Sequence, residues 1–294
     1  LAPYGFDLAV DLRMHPDTRA VMRHVPARLR AGYDHAGQFP FLDIVLEWDK
    51  DSPLQRKRAH VSDRLLNLVE AVATASNPVR MNGSLRVGDP AEALGRLPAK
   101  ARRLFRNAVA AVHPGVGNSA RQWPAEHYAS LCDLLVEKSG LNVVLIGGPD
   151  ERELAEQVLA QVSHPEAVMS LAGQTALADL PLLLKACVLY VGNNSGPKHV
   201  AASVGVPTLG LHSGVVDAVE WGPLGERAMA LQRNMLCKPC YLLKAEDCPR
   251  ELACLRQLTP AVVHQSCETL LGLQPPRPGG QDRRRVAQGK RRRA

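Results

Sequence analysis

From residue 108 onwards, short apolar runs alternate with longer amphipathic segments. Ala108–Val112, Asn142–Ile146 and Val188–Val191 are continuous apolar runs, which predict strands buried on both faces. Buried strands joined by helices predict a doubly wound parallel sheet, whose ligands bind beyond the carboxyl ends of the strands. The other predicted elements of this half are helices at 124–139, 149–162, 177–186 and 197–204 and strands at 167–171 and 208–211.

The first hundred residues show the same alternation less regularly. Asp7–Leu12 and Arg28–Tyr33 predict strands. Pro16–Arg23 predicts a helix opened by proline, and Ser62–Ala73 carries an apolar stripe typical of a helix. Residues 76–106 are rich in proline, glycine and charge, so we place a domain boundary near Asn107. The predicted division is an N-terminal α/β domain at 1–107, a C-terminal α/β domain at 108–273 and a tail at 274–294.

The positive charge of the chain lies in its tail. The formal net charge of the 294 residues is +7, and the tail at 274–294 holds eight basic residues against one aspartate, so the remainder is neutral. The tail has few apolar residues and predicts a disordered appendage. It is suited to contact with an anionic membrane surface or acidic glycolipid, and a solvated tail without a partner is the alternative. Aromatic residues are 4% of the chain, which argues against specific nucleic-acid binding.

The start of the chain bears on its location. No run of about 18 uncharged apolar residues occurs, and residues 1–30 contain five arginines and three aspartates, so the sequence predicts neither a membrane span nor a signal peptide. We expect a cytoplasmic protein, or one that is peripheral on the inner face of the cytoplasmic membrane. Because the first residue is Leu1 rather than methionine, we also expect that the chain lacks its natural start.

The first of three loops suited to phosphate follows the strand that ends near His113. Gly115 and Gly117 let backbone amides come close to a ligand. Arg121 can form a bidentate contact with a phosphate group. The alternative is a flexible turn with a solvated arginine.

The second loop contains two glycines and a carboxylate. Gly147 and Gly148 follow a predicted strand, so that a ligand can lie flat against the backbone. Glu151 lies in the first helical turn, where it can accept hydrogen bonds from a ribose diol. The alternative is a carboxylate that only stabilises the helix dipole.

The third loop predicts an anion site at the start of a helix. Ser195 and Gly196 precede a proline at the first helical position, which leaves free amides that suit a diphosphate. Asn194 comes just before them, and Lys198 and His199 lie in the first turn. The histidine can add a hydrogen-bond donor, although a lone histidine in a helix is more often structural.

Together these loops resemble glycosyltransferase family 9, which contains the lipopolysaccharide heptosyltransferases. The resemblance rests on Trp-Pro after His-Pro-Gly, on Ile-Gly-Gly-Pro-Asp-Glu at 146–151, and on Ser-Gly-Pro-x-His at 195–199 followed by Gly-Val-Pro. It covers residues 109–272, and in residues 1–75 it depends on Asp-Leu-x-x-Asp-Leu-Arg and Arg-Ala-Gly-Tyr. It implies a GT-B fold, in which two Rossmann-like domains with parallel sheets face a cleft. It also implies an inverting, metal-independent transfer of a sugar, with heptose as the leading candidate.

The resemblance also implies roles for particular residues. Arg121 matches a basic phosphate-binding position, the Ser195 and Gly196 amides match a diphosphate loop, and His199 matches a motif histidine. The implied donor is a nucleotide diphosphate sugar, with ADP-heptose among the candidates, and no cofactor is required. The implied acceptor is a glycolipid or surface polysaccharide. The candidate donor-binding residues are His113, Gly115, Gly117, Arg121, Gly147, Gly148, Glu151, Asn194, Ser195, Gly196, Lys198 and His199.

Two departures from the family pattern concern catalysis. Asn194 stands where the family usually carries aspartate, so a charge is lost there. The family begins with a Gly-Asp loop whose aspartate is thought to be the general base, whereas Gly88-Asp89 lies in linker-like sequence. We therefore leave the catalytic base unassigned. Asp11, Arg13 and His15 are candidates for the acceptor side, and a solvated loop is the alternative.

Four of the seven cysteines form a cluster along the chain. Cys237, Cys240, Cys248 and Cys254 have the spacing C-x₂-C-x₇-C-x₅-C. In a cytosolic protein such clustering favours metal over disulfide, and the family often has a similar cluster. A structural zinc or a redox-labile bridge is therefore one hypothesis, and reduced buried cysteines are the alternative.

The sequence leaves three classes of function open. The first is the glycosyltransferase described above. The second is a nucleotide-sugar epimerase of the same fold, which processes the donor without an acceptor. The third is a non-catalytic scaffold that keeps the donor pocket and uses its basic tail for binding.

Overall fold

A computed structural model describes two compact units. The described residues are 5–13, 16–34, 37–47, 60–75 and 87–272. The N-terminal unit comprises Leu1–Leu85 and Asp217–Gly222, and the C-terminal unit comprises Arg86–Val216 and Pro223–Ala294. His15 and the tail at 274–294 lie outside the described residues, so the predictions made for them remain predictions.

The described part of the N-terminal unit contains a small parallel sheet. Its strands are β1 (Phe6–Asp11), β2 (Ala27–Asp34) and β3 (Ile44–Glu47), in the order β1-β2-β3. The helices of this unit are a 3₁₀ helix at Pro16–His24, α1 (Val61–Ala75) and a four-residue helix at Ala218–Trp221. The two predicted strands and the helix of residues 62–73 are confirmed. The segment at 16–23 was predicted as a helix without its type, and β3 was not predicted, because its four residues become a strand only by pairing with β2.

The C-terminal unit is built on a six-stranded sheet among the described residues, and all neighbouring strands are parallel. The strand order is β6-β5-β4-β7-β8-β9. The chain moves outward from β4 to β6 and then returns to place β7 beside β4. This reversal is the topological switch point at which ligands bind in open parallel sheets. The strands are β4 (Val109–His113), β5 (Asn142–Leu145), β6 (Val168–Ser170), β7 (Leu189–Asn193), β8 (Thr208–His212) and β9 (Ala228–Gln232).

Helices cover both faces of this sheet. One buried cluster includes Trp123, Leu131 and Val263, and the other includes Leu97 and Leu183. None of the helices in the described ranges is long and apolar enough to cross a membrane. The helices that follow α1 are α2 (Pro90–Arg96), α3 (Ala99–Leu104), α4 (Ala125–Glu137), α5 (Arg152–Leu159), α6 (Leu180–Lys185), α7 (Gly196–Ser203), α8 (Ala218–Trp221), α9 (Ala253–Arg256) and α10 (Pro260–Leu271), of which α8 belongs to the N-terminal unit.

The division into units differs from the boundary expected near Asn107. Helices α2 and α3 lie in the segment that the sequence marked as a linker, and Leu97 and Ala101 are buried with the core of the C-terminal unit. The Asp89 carboxylate accepts a hydrogen bond of 2.9 Å from the Ala91 amide and caps α2. Pro90 occupies the first helical position, where its missing N–H has no cost. A proline that indicated a linker in the sequence therefore opens a helix.

Candidate functional site

The carboxyl ends of β4 and β7 lie side by side at the switch point. His113 and Asn193 are the last residues of these strands, and both side chains are buried. A cavity of about 390 Å³ opens beside them, and Ile146, Leu177 and Leu180 form part of its apolar wall. The candidate donor-binding residues that line this cavity are His113, Gly117, Gly147, Gly148, Glu151 and Ser195. The other half of that set does not line it.

His113 links the three predicted loops. Its Nε2 lies 3.1 Å from Glu151 Oε2, and its Nδ1 lies 3.1 Å from Ser195 Oγ. Since a carboxylate only accepts hydrogen bonds, Nε2 is the donor to Glu151. This bond lowers the pKa of Glu151, an effect that burial partly opposes. The same Oε2 accepts a bond of 2.7 Å from the Gly148 amide, so Glu151 caps its own loop as well as lining the cavity.

The glycines near Glu151 have a role that the sequence did not reveal. A Cβ built on Gly115 would lie 1.8 Å from Glu151 Oε1, and one on Gly147 would lie 2.9 Å from Glu151 Oε2. Gly117 has no atom within 4 Å of such a position. Gly115 and Gly147 therefore make room for a protein carboxylate, in addition to the close approach of a ligand predicted for them.

Asn193 positions the first loop, although the sequence did not single it out. Its Oδ1 accepts a hydrogen bond of 3.0 Å from the Trp123 amide, and its Nδ2 donates one of 2.8 Å to the Pro114 carbonyl. Both ends of the loop that carries Arg121 are thus held by one side chain. Asn194, which the sequence named as a candidate donor-binding residue, is buried, and its backbone N–H donates to the Leu211 carbonyl.

A basic cluster lies behind the start of α7. We define it as Arg121, Lys198, His199 and His212. Lys198 is fully buried, and its Nζ lies 2.8 Å from His199 Nε2. Burial lowers the pKa of Lys198 to about 7, with a further contribution from the charge of Arg121. Burial also lowers the pKa of Arg121 and lowers that of His212 to about 3, so His212 is neutral at physiological pH.

His212 is the member of the basic cluster that the sequence did not indicate. It ends β8, an otherwise apolar strand except for Thr208, so a polar residue at this strand end was the available signal. Within the described residues, both its ring nitrogens and the Nε of Arg121 are buried without a hydrogen-bond partner. A buried polar atom without a partner costs about 1–3 kcal/mol. These atoms are therefore suited to a polar or anionic ligand.

The first turn of α7 completes the site. Ser195 is its N-cap, but no side-chain cap is formed within the described residues. The Ser195 hydroxyl instead lies 3.1 Å from His113 Nδ1 and 3.3 Å from the Asn193 carbonyl. Gly196 follows and is exposed. The amides of an eight-residue helix thus start at the cavity wall beside a basic cluster, an arrangement suited to a phosphate group.

The structure describes two of the three candidates for the acceptor side. The Asp11 carboxylate is 8% exposed and accepts hydrogen bonds from the Arg13 amide, Thr18 Oγ1 and Arg19 Nε at 3.0, 3.1 and 2.8 Å. The Arg13 guanidinium forms an exposed ion pair with Asp17. Asp11 therefore holds the 3₁₀ helix against β1, and its role towards an acceptor stays a prediction.

The four clustered cysteines are free thiols in the structure. Cys237 is exposed, Cys240 and Cys248 are half-buried, and Cys254 is buried. Cys254 Sγ accepts a hydrogen bond of 3.3 Å from the Gly214 amide, and burial raises the pKa of this thiol. Across the described ranges, no three His, Cys, Asp or Glu side chains are arranged to hold a metal ion. The geometry thus gives the zinc hypothesis no support.

The comparison with protein families decides the class of protein. The family described as glycosyltransferase family 9 (heptosyltransferase) matches residues 1–248. This chain belongs to that family. The motifs at the ends of β4, β5 and β7 thus led to the correct family.

Individual relatives match shorter segments. Lipopolysaccharide heptosyltransferase 2 of Escherichia coli is 36% identical over 95 residues, which are 32% of this chain and 27% of the relative. Lipopolysaccharide heptosyltransferase 3 of Escherichia coli is 33% identical over 138 residues, which are 43% of this chain and 39% of the relative. The matches therefore span less than half of these relatives.

Solved structures confirm the fold class. The ADP-heptose lipopolysaccharide heptosyltransferase II of E. coli has a TM-score of 0.67 at 21% identity, covering 92% of this chain and 77% of that one. A family 9 glycosyltransferase of Veillonella parvula has a TM-score of 0.65 at 22% identity, covering 92% and 75%. The predicted α/β fold of GT-B type, with parallel Rossmann-like sheets, is confirmed.

Proposed function

We propose that this protein is a glycosyltransferase that transfers a sugar, with heptose the leading candidate, from a nucleotide diphosphate sugar to a lipopolysaccharide or other surface glycan. Family membership supports the reaction class. The observation that carries the proposal is the start of α7, where first-turn amides lie beside an apolar cavity and beside the basic cluster, in which Lys198 and His212 are buried. An apolar cavity suits the base of a nucleotide sugar, the amides suit the oxygens of its diphosphate, and the basic cluster balances the negative charge of that diphosphate.

The cavity suits the nucleoside part of the donor. Its volume of about 390 Å³ lies within the range of small-molecule sites, which are mostly apolar with a few polar groups. Thr175 and Glu151 supply polar groups beside the apolar wall, and Glu151 is the candidate for the ribose diol. The structure of E. coli heptosyltransferase WaaC with ADP has a TM-score of 0.60 to this chain at 20% identity. We therefore propose ADP as the nucleotide to test first.

In the proposed reaction, an acceptor hydroxyl displaces the nucleotide diphosphate at the anomeric carbon, with inversion. Negative charge grows on the departing diphosphate, and groups that are fixed in advance stabilise it best. We assign this role to Arg121, to the first-turn amides at Ser195 and Gly196, and to His199. The protein itself thus supplies positive charge at the leaving group, and on this proposal no metal is required.

The first experiment is a thermal-shift titration of the full chain with ADP-, UDP-, GDP- and dTDP-sugars. A ligand that binds only the folded state adds about 2.7 kcal/mol at 100 times its dissociation constant. Stabilisation by one class of nucleotide would support the donor site and identify the base. The absence of a shift with every nucleotide would contradict the proposal and favour the scaffold alternative.

The reaction is tested separately from binding. Donor incubated with the protein and a lipopolysaccharide acceptor should yield a lengthened glycan and free nucleoside diphosphate. Donor incubated without acceptor should stay unchanged. A new isomer of the donor in that control would instead indicate the epimerase alternative.

We further propose that the protein works at the inner face of the cytoplasmic membrane, with the tail at 274–294 as its contact. The tail's eight basic residues support this proposal. Co-sedimentation with anionic vesicles should be salt-sensitive and should fall when residues 274–294 are deleted, whereas neutral vesicles should bind neither form. Equal binding of both forms to anionic vesicles would contradict it.

A further inference from the structure

His113 lies between the two parts of the candidate site. We call the cavity the nucleoside subsite and the start of α7 the diphosphate subsite, as the proposed function assigns them. His113 ends β4, and its side chain is 3% exposed. Its Nε2 lies 3.1 Å from Glu151 Oε2 in the first subsite, and its Nδ1 lies 3.1 Å from Ser195 Oγ in the second. One imidazole ring therefore contacts both subsites.

The neighbouring strand β7 leaves room for this ring. His113 is paired in register with Gly192. A Cβ built on Gly192 would lie 3.0 Å from His113 Cβ and 2.5 Å from Tyr190 Oη. Glycine at this position therefore makes room for both side chains. Because the ring is buried against this strand and bonded through both nitrogens, its orientation is fixed.

The bond to Glu151 has a defined direction. His113 lowers the pKa of Glu151, so the side chain is a carboxylate at neutral pH, and a carboxylate only accepts hydrogen bonds. Nε2 of His113 therefore carries a proton and donates. The Gly148 N–H donates to the same Oε2 at 2.7 Å. Since both bonds end on Oε2, the other oxygen, Oε1, is the one that can accept from a ribose hydroxyl.

The bond to Ser195 engages the serine hydroxyl in either protonation state of the ring. A neutral ring accepts at Nδ1 from this hydroxyl. A protonated ring donates to Oγ, and the hydroxyl then donates to the Asn193 carbonyl, 3.3 Å away. In both states the hydroxyl proton is bonded to the protein, and the Ser195 side chain does not cap α7. Ser195 can therefore offer its backbone N–H to a diphosphate.

We propose that His113 is a positioning residue that connects the two subsites, because it holds the Glu151 carboxylate for the ribose and Ser195 for the diphosphate. The inference rests on the proposed function for the identity of these two ligand parts. The two hydrogen bonds themselves can be tested without any nucleotide.

Two substitutions separate the two contacts, because a glutamine amide reaches the position of the histidine Nε2 and an asparagine amide reaches that of Nδ1. His113→Gln should keep a donor to Glu151 and lose the contact with Ser195, and His113→Asn should do the reverse. His113→Leu removes both contacts. His24→Leu replaces a histidine at an exposed position and is the control. Thermal midpoints check that each variant of the full chain folds.

The first measurement is the pKa of Glu151, from carbon NMR spectra of the full chain labelled with ¹³C-glutamate. Glu151→Gln identifies the signal. The pKa should be lowered in the wild type, in His113→Gln and in His24→Leu, and should be higher in His113→Asn and His113→Leu. Tyr190, which also faces Glu151 and Ser195, stays neutral in this range because burial raises its pKa. An equal pKa of Glu151 in the wild type and His113→Leu would overturn the inference.

Calorimetric titrations with adenosine and with pyrophosphate then test the two subsites separately. His113→Asn should bind adenosine about 5- to 10-fold more weakly, which is the usual effect of one lost hydrogen bond, and should bind pyrophosphate nearly as the wild type does. His113→Gln should show the opposite pattern, and His113→Leu should bind both ligands more weakly. Equal losses in His113→Asn and His113→Gln would overturn the connection. If the wild type binds neither ligand, the proposed function fails, whereas the pKa of Glu151 still decides whether His113 positions the carboxylate.

Discussion

The carboxyl ends of the two parallel sheets carry polar residues in both units, with different outcomes. In the N-terminal unit, Asp11 ends β1 and is bonded to Arg19 and Thr18, while Asp34 ends β2 and accepts from the Phe39 amide at 3.2 Å. In the C-terminal unit, His113 ends β4 beside a cavity of about 390 Å³. Asp11 and Asp34 form hydrogen bonds that hold the segments following their strands, whereas His113 borders a cavity.

This difference shows how a binding site is distinguished from a structural network. Both sets of residues satisfy the rule that polar groups follow the strands of a parallel sheet. In the C-terminal unit, however, the Nε of Arg121 and the ring nitrogens of His212 lack partners among the described residues. Buried polar groups without partners, close to the start of a helix, mark the site better than polar groups at strand ends alone.

The largest expected effect is on the structural network. Arg19 is 1% exposed, its Nε lies 2.8 Å from Asp11 Oδ2, and its guanidinium lies over the Phe39 ring. Arg19→Met leaves the Asp11 charge buried without its partner, so the free energy of unfolding should fall by about 3–5 kcal/mol. Denaturant unfolding measures this. Arg28→Met is the control, because the Arg28–Asp7 pair is exposed and such pairs contribute at most about 1 kcal/mol. An equal loss of unfolding free energy in Arg19→Met and Arg28→Met would contradict a stabilising role for the buried Arg19–Asp11 pair.

The second effect is on the binding site, where nucleotide affinity should fall while the stability of the fold does not. Arg121→Ala removes a charged hydrogen-bond donor to phosphate, which costs about 1.5–3 kcal/mol, or roughly 10- to 100-fold in nucleotide affinity. Stability should not fall, because burial of this charge disfavours it in the folded state. Calorimetric titration with ADP checks the affinity. Arg106→Ala, at an exposed position, should bind as the wild type does. Unchanged affinity in Arg121→Ala would remove Arg121 from the site.

A third change tests whether the lack of a side chain at Gly115 is needed to leave room for Glu151. Gly115→Ala places a Cβ 1.8 Å from Glu151 Oε1, so Glu151 must move away from His113. Loss of the hydrogen bond between His113 and Glu151 costs about 1–3 kcal/mol, and nucleotide binding should weaken as well. Gly117→Ala meets no atom within 4 Å and should be nearly neutral for stability. If the two alanines are equally tolerated in thermal unfolding, the close approach of Gly115 to Glu151 is not required.

The smallest expected effect is pH-dependent. The hydrogen bond from His113 lowers the pKa of Glu151 in the folded protein. The carboxylate therefore stabilises the fold above the pKa of the unfolded chain, and this contribution is lost as pH falls through the folded pKa. The thermal midpoint of Glu151→Gln should be below that of the wild type at neutral pH and should converge with it in acid. Glu153→Gln, at an exposed position, should follow the wild type throughout. A gap that is the same at every pH would contradict this origin.

Much of the C-terminal unit could be predicted from the sequence, because its strands are continuous apolar runs with helices between them. The predicted strand that begins near Ala108 is β4, and the third loop does begin a helix at Gly196. Helices α2 and α3 were missed, because a proline and charged residues indicated a linker. Only the buried contacts of Leu97 and Ala101 made that segment part of the core.

The sequence by itself determined the class of fold, the family and the loops that contain the candidate site. These follow from periodicity and from short motifs, which are local properties of the chain. Tertiary structure alone decided that Gly115 makes room for Glu151, that Asn193 holds the Arg121 loop, and that Lys198 and His212 are buried together. Each of these depends on atoms that lie far apart in sequence, and no local pattern encodes the distance between them.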